Sequence, residues 1–225
     1  SVIGVGLATV IKSSGGPSFI LNDVARLTID RSGQVTAYTG ISPHGQGSET
    51  TFAQIVADDL GISPFDVKVL HSDTDVVPFG RGTSASRGII VGGSALKSVL
   101  QDARRKLIDI ASRTLECPIR DVELMGGCVF DVKEPANSIG FKELVGASCN
   151  EAALSSSGSL GLEFSGTYSF TDNPFTYAAH MAVVEINRDT GDVKILRYTA
   201  VHDCGHIINP MLVDGQVQGG IVQGI

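Results

Sequence analysis

The chain has 225 residues, of which 42% are hydrophobic and 18% charged, and its 24 acidic and 17 basic side chains leave a formal net charge of -7. This composition is that of a globular protein with one large domain or two small ones, and the acidic balance argues against nucleic acid or an anionic membrane surface as a partner. The sequence has no apolar run near the ~20 residues of a membrane helix, no signal peptide and no Cys-x-x-Cys pair, so we expect a cytoplasmic protein with reduced thiols and no membrane span.

In chain order, hydrophobic periodicity and turn residues predict an α+β fold with mixed sheets and packed helices. Runs of β-forming residues predict a strand at 2–11, followed by strands or hairpins at 23–40, 66–73, 117–132 and 178–205. Helical spacing predicts helices over 49–60, about 89–113 and around 141–148, the first with Ser48 as N-cap and Gly61 just past its end. The buried face predicted for the long second helix is Leu96, Val99, Leu100, Ala103, Leu107 and Ile110. The small, polar segment 151–160 is predicted to be a loop.

Two of the predicted hairpins resemble each other. The segments "LTIDRSGQVTAYT" and "VEINRDTGDVKILRYT" share an arginine, a turn that ends in glycine and a valine that opens the return strand. Each is followed by a Gly-Gln segment, "HGQG" or "DGQVQGG", that is predicted to open a helix. We infer two related strand-loop-helix halves, with subdomains at about 17–150 and 151–225 plus the N-terminal strand. Chance similarity between short hairpins is the alternative, because such hairpins draw on few residue types.

Both ends of the chain resemble the interior of a longer sequence. The first residue is Ser1 instead of a methionine, and the last stretch, "GGIVQGI", stops within an apolar pattern without a helix cap. We therefore expect a fragment or a subunit of something longer.

Two glycine-rich loops are candidate sites for an anionic ligand, because each precedes a predicted helix. Free N–H groups and the positive end of the helix dipole favour negative charge at "HGQG" and again at "PFGRGTSASRG". Arg81 and Arg87 in the second loop are each able to pair with a phosphate or to form an ordinary salt bridge, and the sequence leaves both options open. There is no Walker A motif, and no G-x-G-x-x-G follows a strand. The loops therefore predict a less common ligand than a hydrolysed nucleotide or NAD.

The segment "VHDCGHIINP" offers histidine and thiol ligands for a metal ion. Alternation along a strand would place His202, Cys204 and His206 on one face, as zinc or copper requires. Gly205 and the following proline should end the strand before His206, which favours a structural role for these residues. We assign no metal ligands, and His44 and His71 are similarly ambiguous.

Three long motifs, in this order, resemble the large subunit of the molybdenum hydroxylases, the family of xanthine dehydrogenase, aldehyde oxidase and carbon monoxide dehydrogenase. They are "GISPHGQGSETTFAQIVADDLGI", "HSDTDVVPFGRGTSASR" and "VHDCGHIINPMLVDGQVQGGIVQGI". The resemblance runs from about residue 18 to the C-terminus and implies the second molybdopterin-binding domain. It implies seven cofactor-binding residues, namely Gly45, Gln46, Gly47, Ser84, Ala85, Ser86 and Gln216. The Gly-Gln-Gly loop and Gln216 would contact the pterin, and Ser-Ala-Ser would pass under the dithiolene and the metal.

The resemblance also implies what this chain lacks. The family's catalytic glutamate would lie beyond Ile225, and the first molybdopterin-binding domain would precede Ser1. We therefore assign no catalytic residue and expect the chain alone to be inactive.

As part of a larger oxidoreductase, the chain is expected to help hydroxylate an aldehyde or N-heterocycle, or to oxidise CO, with water as the oxygen source. The resemblance implies a molybdenum-bearing molybdopterin, as such or as a dinucleotide, a small-molecule substrate, [2Fe-2S] and FAD on partner subunits or domains, and an oligomer. The alternatives are a non-catalytic pterin- or nucleotide-binding or assembly module, and a His/Cys metal protein.

Overall fold

A computed structural model describes residues 1–16, 22–77, 79–154, 161–169 and 174–225, with the backbone alone for 150–154. The strands in these ranges are β1 (Val2–Ser13), β2 (Asn22–Asp30), β3 (Val35–Thr39), β4 (Val67–His71), β5 (Val122–Met125), β6 (Cys128–Asp131), β7 (Ser138–Gly140), β8 (Gly161–Ser169), β9 (Phe175–Ile186) and β10 (Val193–Asp203). The α-helices are α1 (Ser48–Leu60), α2 (Ser94–Thr114), α3 (Phe141–Leu154) and α4 (Pro210–Gly224). A π-helical turn, Gly88–Gly93, runs directly into α2.

The described strands form three sheets with helices packed against them, which confirms the predicted α+β class. Sheet A has the order β1-β9-β10 and is antiparallel. Sheet B has the order β4-β3-β2-β8, and its β3-β4 pair is parallel while the others are antiparallel. Sheet C is a small antiparallel sheet of β5, β6 and β7. The predicted hairpins over 23–40, 117–132 and 178–205 are thus confirmed.

The hydrophobic core lies between sheet B and helices α1 and α2. Alternate residues of β2, among them Ala25, Leu27 and Ile29, are buried while their neighbours are partly exposed, which is the pattern of a half-buried strand. All six residues predicted for the buried face of the long helix are buried in α2. The helical spacing of the apolar residues therefore predicts correctly which side of α2 packs on the sheet.

The predicted ends of α1 are partly right. Gly61 follows the helix with φ 65°, the left-handed conformation that favours glycine at this position. Ser48, however, is the first helical residue and not the N-cap, which is Gly47 with φ 79° and no side-chain cap hydrogen bond. The N-terminus of α1 therefore presents backbone N–H groups without a serine side chain across them.

Three features differ from the sequence prediction. Helix α3 continues to Leu154 through part of the predicted loop, and residues 155–160 lie outside the described residues. Strand β8 was not predicted, and it pairs with β2 from Asn22↔Ser169 to Asp30↔Gly161, so the expected boundary near residue 150 does not separate the strands of sheet B. The segment "DGQVQGG" lies inside α4 and does not precede a helix. The helix begins earlier, at Pro210, because the side chain of Asn209 accepts a hydrogen bond from the N–H of Leu212 and proline is favoured in the first turn.

Sheet A contributes no side chain to the core cluster formed by the described residues. Its strand β1 exposes Ile3, Val5 and Leu7, each by more than half of its surface. None of the helices in the described ranges combines the length and the apolar character needed to cross a membrane.

Candidate functional site

A cavity of about 500 Å³ lies where the N-terminal end of α1, the loop before the π-helical turn and helix α4 meet. Its walls are His44, Gln46, Ser48, Thr51, Phe52, Thr83, Ser84, Ala85, Ser86, Gly88, Ile89 and Gln216. Five of the seven predicted site residues are in this set, from three segments far apart in the sequence. The other two, Gly45 and Gly47, flank Gln46 without lining the cavity.

The first wall is the loop that enters α1. The side chain of Gln46 folds back, and its Oε1 accepts a hydrogen bond from the backbone N–H of His44 at 2.7 Å. Gly45 and Gly47 both have left-handed φ values, 103° and 79°. At Gly47 the close neighbour is the chain's own Leu212, from the first turn of α4.

The second wall is the Ser-Ala-Ser loop, residues 84–86, and its backbone is strained. Ala85 and Ser86 have φ values of 47° and 56°, a region in which residues with a Cβ atom cost about 1–2 kcal/mol each. Two contacts from the last residues of β1 and the segment after it hold this conformation. The N–H of Gly15 donates to the carbonyl of Ala85 at 2.9 Å, and Lys12 Nζ donates to Ser86 Oγ at 2.8 Å. Strain that is held in place by neighbours is a feature of functional loops.

The loops that form these two walls contact each other at Gly40 and Gly80. A Cβ atom on Gly40 would lie 2.6 Å from the Cα atom of Gly80, so neither position has room for a side chain. The N–H of Gly82 donates to the carbonyl of Gly40, and the hydroxyl of Thr83 donates to the carbonyl of Ser42. The glycines of these loops therefore serve contact between the two loops as well as the cavity.

Arg87 lies beneath the second wall in a fully buried ion pair. Its Nη2 is 3.0 Å from Oδ2 of Asp23, both side chains are 0% exposed, and its Nη1 and Nη2 donate to the carbonyls of Gly82 and Asn22. Burial raises the pKa of the Asp23 carboxyl, partly offset by the N–H of Val24 and by the Arg87 guanidinium. Of the two options left open for Arg87, ion pairing is the one found, in the interior instead of at the surface.

Arg81, the other arginine of this loop, remains at the surface. Its guanidinium carbon is 5.7 Å from the centre of the Phe79 ring, within the range of a cation–π contact. Arg81 does not line the cavity.

The third wall is α4, which brings Gln216 to the cavity. Asn209, the cap of α4, donates from Nδ2 to Oε1 of Gln54 on α1 at 2.9 Å, and Leu212 rests on Gly47. These contacts fix the helix against α1, and Gln216 follows Leu212 one turn later on the same side. The sequence identified Gln216 only through the family motif, because no local pattern distinguishes it from the other glutamines of α4.

The histidine and cysteine residues near 204 do not form the metal site weighed from the sequence. Strand β10 ends at Asp203, and His202 contacts His180 of the neighbouring strand instead of Cys204. In the part of the chain that the structure describes, no group of three or more His, Cys, Asp or Glu side chains is arranged to hold a metal ion. His206 lines a separate, larger cleft of about 1080 Å³ on the other side of α1, to which no predicted site residue contributes.

The chemistry of the 500 Å³ cavity suits binding more than proton transfer. Its described walls offer amide groups, five hydroxyls, the imidazole of His44, the ring of Phe52 and a helix N-terminus, and they contain no carboxylate. Ser48 and Thr51 were not predicted as wall residues, although both lie within the first family motif, and Thr83 lies in the second predicted loop beside residues 84–86. A cavity of this size with a few converging polar groups is typical of a small-molecule or cofactor site.

Comparison with known proteins agrees with this geometry. The family model for the molybdopterin cofactor-binding domain matches residues 1–225. The gamma subunit of the 6-hydroxypseudooxynicotine dehydrogenase complex of Paenarthrobacter nicotinovorans is 35% identical over 227 residues, covering 99% of this chain and 28% of that protein. The carbon monoxide dehydrogenase large chain of Afipia carboxidovorans is 34% identical, with the same coverage of 99% and 28%.

Solved structures show the same fold. Reconstituted CO dehydrogenase from Oligotropha carboxidovorans matches with a TM-score of 0.88 and 34% identity, over 97% of this chain and 28% of that one. Quinoline 2-oxidoreductase from Pseudomonas putida 86 matches with a TM-score of 0.87 and 33% identity, over 97% and 29%. The chain therefore spans less than a third of the length of these relatives.

Proposed function

The chain belongs to the molybdopterin cofactor-binding domain family, and we propose that it forms part of the cofactor site in the large subunit of a molybdenum hydroxylase. The observation that carries this proposal is the convergence of Gln46, residues 84–86 and Gln216 on one cavity. These are the residues that the family motifs assign to the pterin and the metal, and the fold brings them together from three separate segments. The chain is proposed to correspond to the second molybdopterin-binding domain of such an enzyme.

The residues present fit a flat, polar heterocycle that carries phosphate. The amide side chains of Gln46 and Gln216 offer both donors and acceptors, which is what the edge of a pterin needs. The small residues 84–86 let the ring approach the backbone, and their strained conformation turns the loop toward the cavity. The N-terminus of α1, with no side-chain cap, leaves N–H groups for an anionic oxygen.

The bound cofactor supplies two-electron redox chemistry, and the residues of this chain supply binding and orientation. No described wall residue is a carboxylate, so the base that activates water is proposed to come from another part of the enzyme. Helices α1 and α4 would hold the pterin on rigid elements and so limit its movement relative to the substrate.

The proposed reaction is hydroxylation of an aldehyde or N-heterocycle, or oxidation of CO, with oxygen from water. The relatives named above are parts of dehydrogenases and an oxidoreductase, which supports an enzymatic role over a non-catalytic binding or assembly module. We further propose a first molybdopterin-binding domain and iron-sulfur and FAD subunits or domains as partners, in a cytoplasmic oligomer.

The experiment is measurement of molybdenum and pterin content in the complete enzyme with Gln216→Ala. We expect a clear loss of both relative to the parent, because the lost amide leaves a polar group of the cofactor unpaired at about 1–3 kcal/mol. Gln101→Ala, an exposed glutamine of α2 outside the cavity, is the matched control and should keep the parent's content. A parent enzyme without molybdenum, or full content in Gln216→Ala, would contradict the proposal.

A further inference from the structure

Two histidines of neighbouring strands meet on one face of sheet A, away from the cavity. His180 of β9 and His202 of β10 are diagonal neighbours, since His180 pairs with Ala200 and His202 with Ala178. Their Nε2 atoms are 2.9 Å apart, and the Nδ1 atom of His180 is 2.8 Å from the hydroxyl of Tyr198. We propose that His180 and His202 together bind a divalent transition-metal ion in cis positions, with Ni²⁺ or Cu²⁺ as the best-matched ions.

The separation of the two nitrogens matches a metal with right angles between its ligands. Two nitrogens at about 2.05 Å from one ion lie about 2.9 Å apart when the angle at the metal is 90°, and about 3.3 Å apart at the tetrahedral angle. The observed 2.9 Å therefore suits the square-planar or octahedral preference of Cu²⁺ and Ni²⁺ better than tetrahedral Zn²⁺.

The relative orientation of the two imidazole rings also supports a shared metal ion. The ring centres are 4.8 Å apart and the planes meet at 67°. If the two rings were joined by a linear N–H···N hydrogen bond, their centres would lie about 5.2 Å apart. If both Nε2 atoms bound one metal ion with a 90° angle at the metal, the centres would lie about 4.5 Å apart. The observed 4.8 Å lies between these two values, so the pair is already bent away from the linear hydrogen-bonded arrangement.

Tyr198 is placed to select the tautomer that binds metal. When Nδ1 of His180 donates to the Tyr198 hydroxyl, the Nε2 atom carries a free lone pair. A hydrogen bond from the second ring nitrogen is the usual companion of a metal-bound histidine, and its loss typically costs 10–100-fold in affinity, so Tyr198→Phe should weaken binding by about tenfold or more. Tyr198 is thus a positioning residue for His180.

The surroundings leave room for the other ligands of the metal. The residues directly opposite the two histidines in the register are Ala200, Ala178 and, on β1, Ala8. His202 is exposed and His180 half-buried, so water reaches the pair. Because no third His, Cys, Asp or Glu of the described residues completes a cluster, water molecules are expected to fill the remaining positions.

The test is calorimetric titration of nickel chloride into the purified, chelator-treated protein, as the parent and as His180→Asn and His202→Asn. We expect one Ni²⁺ per chain in the parent and at least a tenfold weaker affinity in either variant, since one imidazole alone is a poor site. His71→Asn, which removes a histidine of sheet B, is the control and should bind as the parent does. Zinc chloride should bind more weakly than nickel chloride.

A spectroscopic measurement keeps the outcome clear if one variant folds poorly. Electron paramagnetic resonance of the parent with one equivalent of Cu²⁺ should show coupling to two equatorial nitrogens, and that of His202→Asn, a change at an exposed position, to at most one. Absence of binding by the parent, or unchanged binding in both histidine variants, would overturn the proposal. The result does not depend on the pterin site, because neither histidine lines it.

Discussion

A Cβ atom on Gly47 would lie 2.6 Å from Cδ1 of Leu212, so helix α4 rests directly on the glycine that precedes α1. This contact joins two walls of the cavity, because Gln46 is next to Gly47 and Gln216 is one turn beyond Leu212. A glycine in the binding loop thus controls where the third wall lies.

Gly47→Val is therefore expected to displace α4 and strain the loop. We expect a loss of about 2–4 kcal/mol in the free energy of unfolding, from overpacking and from a β-branched residue at φ 79°. Chemical denaturation checks the value. Gly45→Ala is the matched control, because Gly45 also has positive φ but no atom within 4 Å of an added Cβ; it should cost only the backbone strain. Equal losses in the two variants would rule out the contact with Leu212 as the cause.

Gln46→Ala tests the first wall without changing the fold. In the complete enzyme we expect it to weaken cofactor binding by about 1–3 kcal/mol, because polar groups of the cofactor lose their partner. The midpoint of thermal unfolding of the cofactor-free protein should change little, since α1 is held by its buried face, including Phe52 and Val56. Molybdenum content and thermal unfolding are measured on the same samples. Full molybdenum content and activity in this variant would mean that the loop is only a turn.

Arg87→Met tests the buried ion pair. Removing the guanidinium leaves the Asp23 carboxylate buried without its partner, which typically costs about 3–5 kcal/mol. Arg113→Met, which breaks an exposed pair with Asp109 on α2, should change stability by less than about 1 kcal/mol. Urea denaturation at pH 7 compares the two, and similar small losses would show that the buried pair is not a major determinant of stability.

The pH dependence of Arg87→Met follows from the same pair. The pKa of Asp23 in the folded protein is already raised above its ordinary value of 3.8, so the folded state binds more protons than the unfolded state as pH rises from 3.8 toward the raised value. The contribution of Asp23 to the free energy of unfolding therefore falls as pH rises through that range. Loss of the Arg87 charge raises the pKa of Asp23 in the folded protein further, so the fall continues to higher pH. The destabilisation by Arg87→Met should be smallest near pH 4 and grow toward neutral pH. A constant difference between variant and parent across this range would contradict the prediction.

Ala85→Gly tests the strain in the Ser-Ala-Ser loop. At φ 47° glycine relieves about 1 kcal/mol or more, which offsets the larger entropy of glycine in the unfolded chain, so stability should stay level or rise. Ala147→Gly, at an exposed position within α3, should lower stability by up to about 1 kcal/mol. Thermal unfolding of both variants distinguishes the cases, and an equal loss in both would show that residue 85 is not strained.

Much of the local structure was predictable from the sequence. The apolar spacing of α1 and α2, the turn residues of three hairpins and Gly61 after α1 each report on neighbours within a few positions, where backbone sterics and amphipathic burial decide the outcome. The proposed binding residues are only partly predictable from local pattern. The glycine-rich loops that contain Gln46 and Ser84 stand out because each precedes a helix, whereas Gln216 stands out only as part of a long family motif.

Local residue patterns were thus enough to predict the α+β class, the periodic helices and hairpins, and the motifs that identify the family. Three contacts are visible only in the folded chain: β8 pairs with β2, Arg87 pairs with Asp23 in the interior, and His202 contacts His180 instead of Cys204. Each of these contacts joins residues more than 20 positions apart. Their formation depends on strand register and on which polar groups burial forces to find a partner, and neither is visible in the local pattern of residues.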